Sequence, residues 1–298
     1  MTKVLYIAGW GRSGSTIVDN ILGQVDGFFS AGELMFIWRR GLVEGRLCGC
    51  GRPVRECDVW TRVLARAYPG GVDPEEMVRL EAHSARTRHL PLHLARVEPG
   101  SGQYRRELAA LYGALQAETG CRVIVDSSKS PSYGRVLAGA PGLDVRVVQL
   151  VRDPRAVAYS WVRRKLQRDD PRRLRSMRSH GPAASSAYWN VLNESTRLLW
   201  PEAGRRLLVR YEDFVTRPQA TIDEIVRFAG EPTAELPWTG SSELALEPTH
   251  TVSGNPSRFD HGTVALRPDD EWERALRPRD RRIVDLITGR VRRRYGYS

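Results

Sequence analysis

Apolar residues gather in short runs separated by amphipathic stretches. Val4 to Ala8 is an unbroken apolar run and predicts a buried strand over Lys3–Ala8, followed by a helix from Ser15 to about Gly23. A short extended piece, Phe28–Ala31, leads to Gly32-Glu33. Residues 74–95 and 102–119 carry a charged, amphipathic helical pattern. Val123-Ile124-Val125 is a β-branched run that stops at Asp126; Val145 to Val151 is the strongest strand signal, and Leu207-Leu208-Val209 closes at Tyr211. Helices are predicted after these strands over Ser132–Leu137, Pro154–Lys165 and Pro218–Ala229, with Pro218 suited to a first helical turn. Residues 165–182 and 236–265 read as loops long enough to serve a ligand or act as a lid. Strands separated by helices imply right-handed crossovers and a mainly parallel sheet flanked by helices on both faces, a three-layer α/β fold. The chain, residues 1–298, reads as one domain with a helical and loop insertion over about 36–120.

The polar residues that interrupt this pattern cluster at strand ends. In a parallel sheet, ligands sit beyond the carboxyl ends of the strands. Arg12 and Ser13, Ser127-Ser128-Lys129, Arg152-Asp153 and Tyr211 all fall there. The first of these segments is Gly9-Trp10-Gly11-Arg12-Ser13-Gly14-Ser15-Thr16, a P-loop-like phosphate cradle in which successive backbone N–H groups and hydroxyls close around an anion at a helix N-terminus. The nucleotide-hydrolase version of this loop places a lysine where Ser15 stands, to reach the β- and γ-phosphates. Arg12 supplies the strong positive charge instead. The loop suits a phosphate ester better than the triphosphate of ATP.

Composition narrows the picture further. With 41% hydrophobic residues and a mean hydropathy of −0.42, the chain fits a soluble globular protein, and no uninterrupted apolar stretch is long enough for a bilayer. The first strand begins almost at residue 1, which leaves no room for a signal peptide, so a cytoplasmic location is expected. The net charge of +11 is almost all arginine, since the chain has only three lysines, Lys3, Lys129 and Lys165. The basic residues are scattered, with local clusters at Arg163-Arg164-Lys165, Arg172-Arg173 and Arg292-Arg293-Arg294. No nucleic-acid reading module accompanies them, so no specific nucleic-acid partner is expected and the charge serves to attract anionic substrates.

Taken in order, these segments resemble the sulfotransferases that use 3′-phosphoadenosine 5′-phosphosulfate (PAPS), in a bacterial branch similar to the tyrosylprotein and carbohydrate enzymes. The residues that carry the resemblance are Gly11–Thr16, Gly32-Glu33, Asp126-Ser127-Ser128-Lys129-Ser130-Pro131, the stretch from Val151-Arg152-Asp153-Pro154 to Ser160, Tyr211-Glu212-Asp213-Phe214 and Gly254–Phe259. The resemblance implies that Arg12, Ser13, Gly14, Ser15 and Thr16 hold the 5′-phosphosulfate. It implies Arg152 and Ser160 as contacts of the 3′-phosphate, Asn255 and Arg258 as further contacts from a late loop, and Tyr211 near the adenine. Glu33 matches the general base of the tyrosylprotein-like branch, and Lys129 the lysine that stabilises the transferring sulfuryl group. Ser253 is a further candidate near the leaving group. Other readings of these residues stay open in the sequence: Glu33 could pair with Arg39 or Arg40, Arg152 with Asp153, and Lys129 could be a solvated surface group.

The implied reaction is an in-line displacement at sulfur that leaves 3′-phosphoadenosine 5′-phosphate (PAP), with no metal expected. The acceptor is a hydroxyl on a glycan, glycolipid, peptide or phenolic small molecule, met by loops around 36–60, 84–100 and 165–185. Two other functions compete: a P-loop nucleotide-dependent phosphotransferase (a kinase), disfavoured by Ser15, and a non-enzymatic protein that binds anions or nucleic acid through its arginines.

Cys48-Gly49-Cys50 and Cys57 form an incomplete zinc pattern, because Cys121 is distant and no fourth ligand is evident. Related bacterial sulfotransferases resemble this segment. Free thiols packing a loop are expected ahead of a Cys50–Cys57 or Cys48–Cys57 disulfide, and a metal comes last. His89 and His93 share a helical spacing but have Pro91 between them. His180, His250 and His261 fall in the long loops, within reach of an acceptor.

Overall fold

The computed structural model describes residues 1–98, 100–163, 166–170, 176–177, 179–232 and 236–298. Its first unit is β1 (Thr2–Gly9), α1 (Ser15–Leu22) and β2 (Phe28–Gly32). A mainly helical stretch follows: a π-helical segment over Ile37–Val43, then α2 (Asp58–Ala67), α3 (Pro74–Ser84), α4 (Leu90–Leu94) and α5 (Gly102–Thr119). The chain returns to the sheet as β3 (Val123–Lys129), α6 (Pro131–Ala138), β4 (Leu143–Val151), α7 (Pro154–Val162), α8 (Pro182–Leu199) and β5 (Arg206–Arg210). It closes with α9 (Tyr211–Thr216), α10 (Pro218–Phe228), the antiparallel pair β6 (Glu243–Leu246) and β7 (Gly262–Ala265), α11 (Glu271–Ala275) and α12 (Pro278–Arg294).

The five strands form one parallel sheet in the order β2-β3-β1-β4-β5. β1 is central, with the chain extending to one side through β2 and β3 and to the other through β4 and β5. That reversal opens a crevice at the carboxyl end of β1, where the glycine-rich loop lies.

Side-chain alternation along β1 builds the layers. Val4, Tyr6 and Ala8 pack with Tyr104, Leu108 and Tyr112 of α5. Leu5 and Ile7 point the other way, towards Val18 and Ile21 of α1 and Ile222 and Ile225 of α10. Each such fully buried aliphatic contributes on the order of 2 kcal/mol. The expected three-layer α/β sheet is therefore the architecture found.

Local departures have local causes. The helix expected over 74–95 is broken: α3 stops at Ser84, a 3₁₀ turn spans Thr87–His89, and Pro91 sits in the first turn of the new helix α4. Proline has no N–H to continue the earlier ladder but fits a first turn. α7 ends at Val162, and Arg164, Lys165, Arg172 and Arg173 lie outside the described residues. The segment read as a loop over 236–265 contains β6, β7 and a 3₁₀ turn over Pro256–Phe259. The long helices α8 and α12 are additions to the expected elements. Trp189 of α8 packs with Val151, Val157, Tyr295 and Tyr297.

Candidate active site

Gly14 precedes α1 with φ 87°, and the helix begins with no side-chain cap and no acidic residue in its first turn. Its free N–H groups and dipole are left for an anion. The loop is tightly held from outside. A Cβ on Gly14 would lie 2.5 Å from the Tyr211 ring, and one on Gly11 would lie 2.7 Å from Trp161. Ser13 donates its hydroxyl to the Trp10 carbonyl at 2.8 Å and so braces the turn. The Asn255 N–H donates to Thr16 Oγ1 at 3.4 Å. Arg12 lies over Trp161 at 4.8 Å. Its buried Nε and Nη1 have no hydrogen-bond partner among the described residues, and burial holds the guanidinium below its ordinary pKa. A cation left short of partners beside an open helix N-terminus matches a phosphate or sulfate group.

Arg152 follows β4 directly and is buried, with its guanidinium 4.5 Å from the centre of the Tyr211 ring. It donates to the Arg12 carbonyl at 3.2 Å and pairs with Asp269 at 2.9 Å. Asp153 is not its partner: that carboxylate caps α7 and pairs with Arg155 at 2.6 Å. Tyr211 thus stands between the glycine-rich loop and Arg152. Ser160 is buried on α7, two turns along the helix that begins beside Arg152. Nothing in the local sequence singled out Asp269, which reaches Arg152 from a distant loop.

Arg258, an expected late-loop contact, is anchored to the backbone. It is 1% exposed and donates to the carbonyls of Thr251 and Leu47, both at 2.6 Å. Those bonds make it a cross-link between two backbone segments. Asn255 caps the turn at 256–259 by accepting from the Ser257 N–H at 3.2 Å.

The best-defined cluster lies at the carboxyl ends of β2 and β3. Glu33 Oε1 accepts from Lys129 Nζ at 2.5 Å. Its Oε2 accepts from Ser253 Oγ at 3.3 Å and lies 3.5 Å from Arg40 Nη1. Arg40 also donates to Ser253 Oγ at 2.5 Å. Lys129 therefore belongs to a partly buried ion pair and is not a solvated surface group. The alternative pairing of Glu33 with Arg40 is present as well, since Arg40 and Lys129 share the same carboxylate. Burial pushes the Glu33 carboxyl up, but Lys129, Arg40 and the hydrogen bonds from Lys129 and Ser253 outweigh it, and the net shift is downward. A general base working near neutral pH needs a carboxyl pKa raised by burial. The two neighbouring cations reverse the direction.

Backbone conformation marks the same place. Among the described residues, the non-glycine positions with positive φ are Arg12 (71°), Arg96 (59°), Lys129 (69°) and Ser253 (59°). Three of these four belong to the loop and the cluster. Each such conformation costs of order 1–3 kcal/mol and persists only where the surroundings enforce it. A cavity of about 340 Å³ opens beside this cluster, with Met35, Phe36, Arg39, Glu81, Arg86, Arg88 and Ser130 in its wall and Glu81 3.5 Å from Arg86. Met35 and Ser130 lie next to the cluster in sequence. Arg39, Arg86 and Arg88 come from the segment between β2 and β3.

The cysteines are all free, the arrangement expected ahead of either disulfide. Cys48, Cys50 and Cys57 meet a residue that sequence spacing did not connect to them, His250.

An anion cradle at the switch point of a parallel sheet, beside a partly buried carboxylate–lysine pair, is an α/β arrangement whose chemistry suits a phosphorylated or sulfated ligand. The model of the Sulfotransferase family matches residues 5–235, and the chain belongs to that family. It is similar to human carbohydrate sulfotransferase 3, with 31% identity over 180 residues, and that match covers 54% of this chain and 35% of the relative. The chain thus spans about a third of the curated relative it matches. Two solved structures share the fold. The sulfotransferase domain of the Synechococcus PCC 7002 olefin synthase is 22% identical at a TM-score of 0.51, covering 100% of this chain and 95% of that one. The sulfotransferase domain from the curacin biosynthetic pathway is 18% identical at a TM-score of 0.51, covering 97% and 98%. Among the described residues no helix is long and apolar enough to cross a membrane.

Proposed function

We propose that the chain moves the sulfuryl group of PAPS to a hydroxyl, with Glu33 as general base. The observation that carries this reading is the Glu33–Lys129 pair, 2.5 Å apart at adjacent strand ends and next to the glycine-rich loop. The loop N–H groups, Ser15, Thr16 and Arg12 hold the phosphosulfate. Arg152 meets the 3′-phosphate in exchange for Asp269, with Ser160 beside it and Tyr211 packing near the base. In the free protein Lys129 holds Glu33 anionic and weakly basic. Once a sulfuryl group draws the lysine away, Glu33 loses its strongest partner and its basicity rises, so base and charge stabiliser become active together. The acceptor oxygen then bonds to sulfur as the bond from sulfur to the phosphate oxygen breaks. Glu33 takes the hydroxyl proton, and PAP departs with the electron pair.

The cavity wall sets Arg39, Arg86 and Arg88 against one carboxylate, Glu81, a positive balance that favours an acceptor carrying negative charge, such as an acidic glycan, met by the segment over about 36–120 within a single domain. The likeness to a carbohydrate sulfotransferase supports the same choice.

The test is thermal stabilisation by PAP beside ADP and ATP–Mg²⁺ at equal concentrations. A ligand at a hundred times its Kd adds about 2.7 kcal/mol. Selective stabilisation by PAP supports the reading, whereas a preference for ATP–Mg²⁺ overturns it in favour of phosphoryl transfer.

A further inference from the structure

The Cys48–Cys57 loop has no part in the chemistry above, yet it brings four donor atoms to one point. Cys57 Sγ lies 3.2 Å and Cys48 Sγ 3.9 Å from His250 Nδ1, and Cys50 Sγ is 3.8 Å from Cys57 Sγ. All four donor atoms, from Cys48, Cys50, Cys57 and His250, lie within 4.8 Å of one another. In a tetrahedron with Zn–S of about 2.3 Å and Zn–N of about 2.0–2.1 Å, sulfur–sulfur edges are about 3.8 Å and sulfur–nitrogen edges about 3.6 Å. The observed separations bracket those edges. They are also far longer than the roughly 2.05 Å of a disulfide.

The backbone is shaped to this point. The Cys48 N–H donates to the Arg52 carbonyl at 2.7 Å and the Gly51 N–H to the Cys48 carbonyl at 2.9 Å, which folds the loop into a tight knuckle. Gly49 must be glycine, because a Cβ there would lie 2.5 Å from the Thr249 carbonyl and 2.5 Å from Thr251 Oγ1. The His250 carbonyl accepts from Trp60 Nε1 at 2.8 Å, and the His250 ring stacks parallel to Phe29, at an interplanar angle of 5°. Both contacts fix the fourth ligand.

We propose that Cys48, Cys50, Cys57 and His250 form a closed structural site for one Zn²⁺. Soft thiolates with one imidazole in a tetrahedral arrangement suit zinc over hard cations. Zinc entry displaces the thiol protons to solvent, and the four protein ligands leave no open position for a substrate. The ion clamps the knuckle to residues 249–253. That strip reaches the catalytic cluster, since the Val252 carbonyl accepts from the Glu33 N–H at 2.7 Å and Ser253 bonds Glu33. Zinc thereby holds the platform on which the carboxylate stands. The site is independent of the identity of the donor or acceptor.

The experiment is metal analysis of the full chain purified without chelator, together with Co²⁺ loading after metal removal. The expected result is about one zinc per chain, and for cobalt the intense visible bands of a tetrahedral site with thiolate charge transfer. Cys57→Ser and His250→Ala should lose the metal, while Cys121→Ser keeps it. Cobalt spectra of the unaltered chain read the site even where a variant fails to fold. Three results would each overturn the proposal: no stoichiometric uptake of zinc or cobalt, cobalt spectra without thiolate bands, or metal that survives both ligand substitutions. So would a Cys50–Cys57 disulfide in the non-reduced peptide map of freshly purified chain.

Discussion

At the scale of single residues, buried charge explains most of what is distinctive here. Glu33→Gln removes the proton acceptor while keeping its shape, so turnover should fall by about 10²–10⁴ with PAP affinity largely kept. Sulfuryl transfer and PAP binding measured on the same preparation check this, and undiminished turnover would remove Glu33 as base. Asp19 makes a different case. It is buried on α1 and accepts from Ser30 at 2.7 Å and Ser127 at 2.6 Å, but burial, only partly offset by those bonds, pushes its carboxyl from 3.8 up to about 7. The folded state then holds a proton that the unfolded chain has released. Stability contributed by this group is complete below the ordinary carboxylate range and falls as pH rises towards 7, by an amount on the order of 4 kcal/mol at most. Asp19→Asn should flatten that slope, because the two serine hydroxyls can turn to suit an amide. Urea midpoints at pH 5 and pH 8 test it, and an equal slope in the variant would place the titration elsewhere.

At the scale of elements, the turn between β1 and α1 governs donor binding. Gly14→Ala would force a side chain into φ 87° and into the Tyr211 ring 2.5 Å away. It should cost about 1–3 kcal/mol of stability and, by shifting Tyr211 off Arg152, weaken PAP binding more than tenfold. Calorimetric titration beside thermal unfolding separates the two effects. This turn was legible in the sequence because its information is local: glycines, hydroxyls and an arginine after an apolar run. So were Lys129 at the end of β3 and Arg152 at the end of β4. What sequence could not supply was long-range partnership. Asp269 meets Arg152 across the crevice, Arg40 arrives on a π-helical segment, and His250 closes on cysteines some two hundred positions earlier. Arg258 shows the same limit. Its motif suggested a ligand contact, while its carbonyl partners at Thr251 and Leu47 are visible only in three dimensions.

At the scale of the whole molecule, the mainly parallel sheet flanked by helices was readable from hydrophobic pattern, because strand and helix periods differ and crossovers have one hand. The path of residues 247–259 was not, since an extended strip without strong periodicity carries no such signal. That strip runs along the outer side of β2, the edge strand: the Val252 N–H donates to the Ala31 carbonyl at 2.8 Å, and Gly32 and Val252 form a parallel bridge. Beyond its catalytic neighbourhood, it acts as a selvedge. An uncovered strand edge offers unpaired N–H and C=O groups to any other chain, so deletion of residues 249–255 should turn a dispersed protein into one that self-associates. Light scattering over a concentration series would read this directly: the intact chain holds a constant molar mass, while the deleted one climbs with concentration as bare edges find one another.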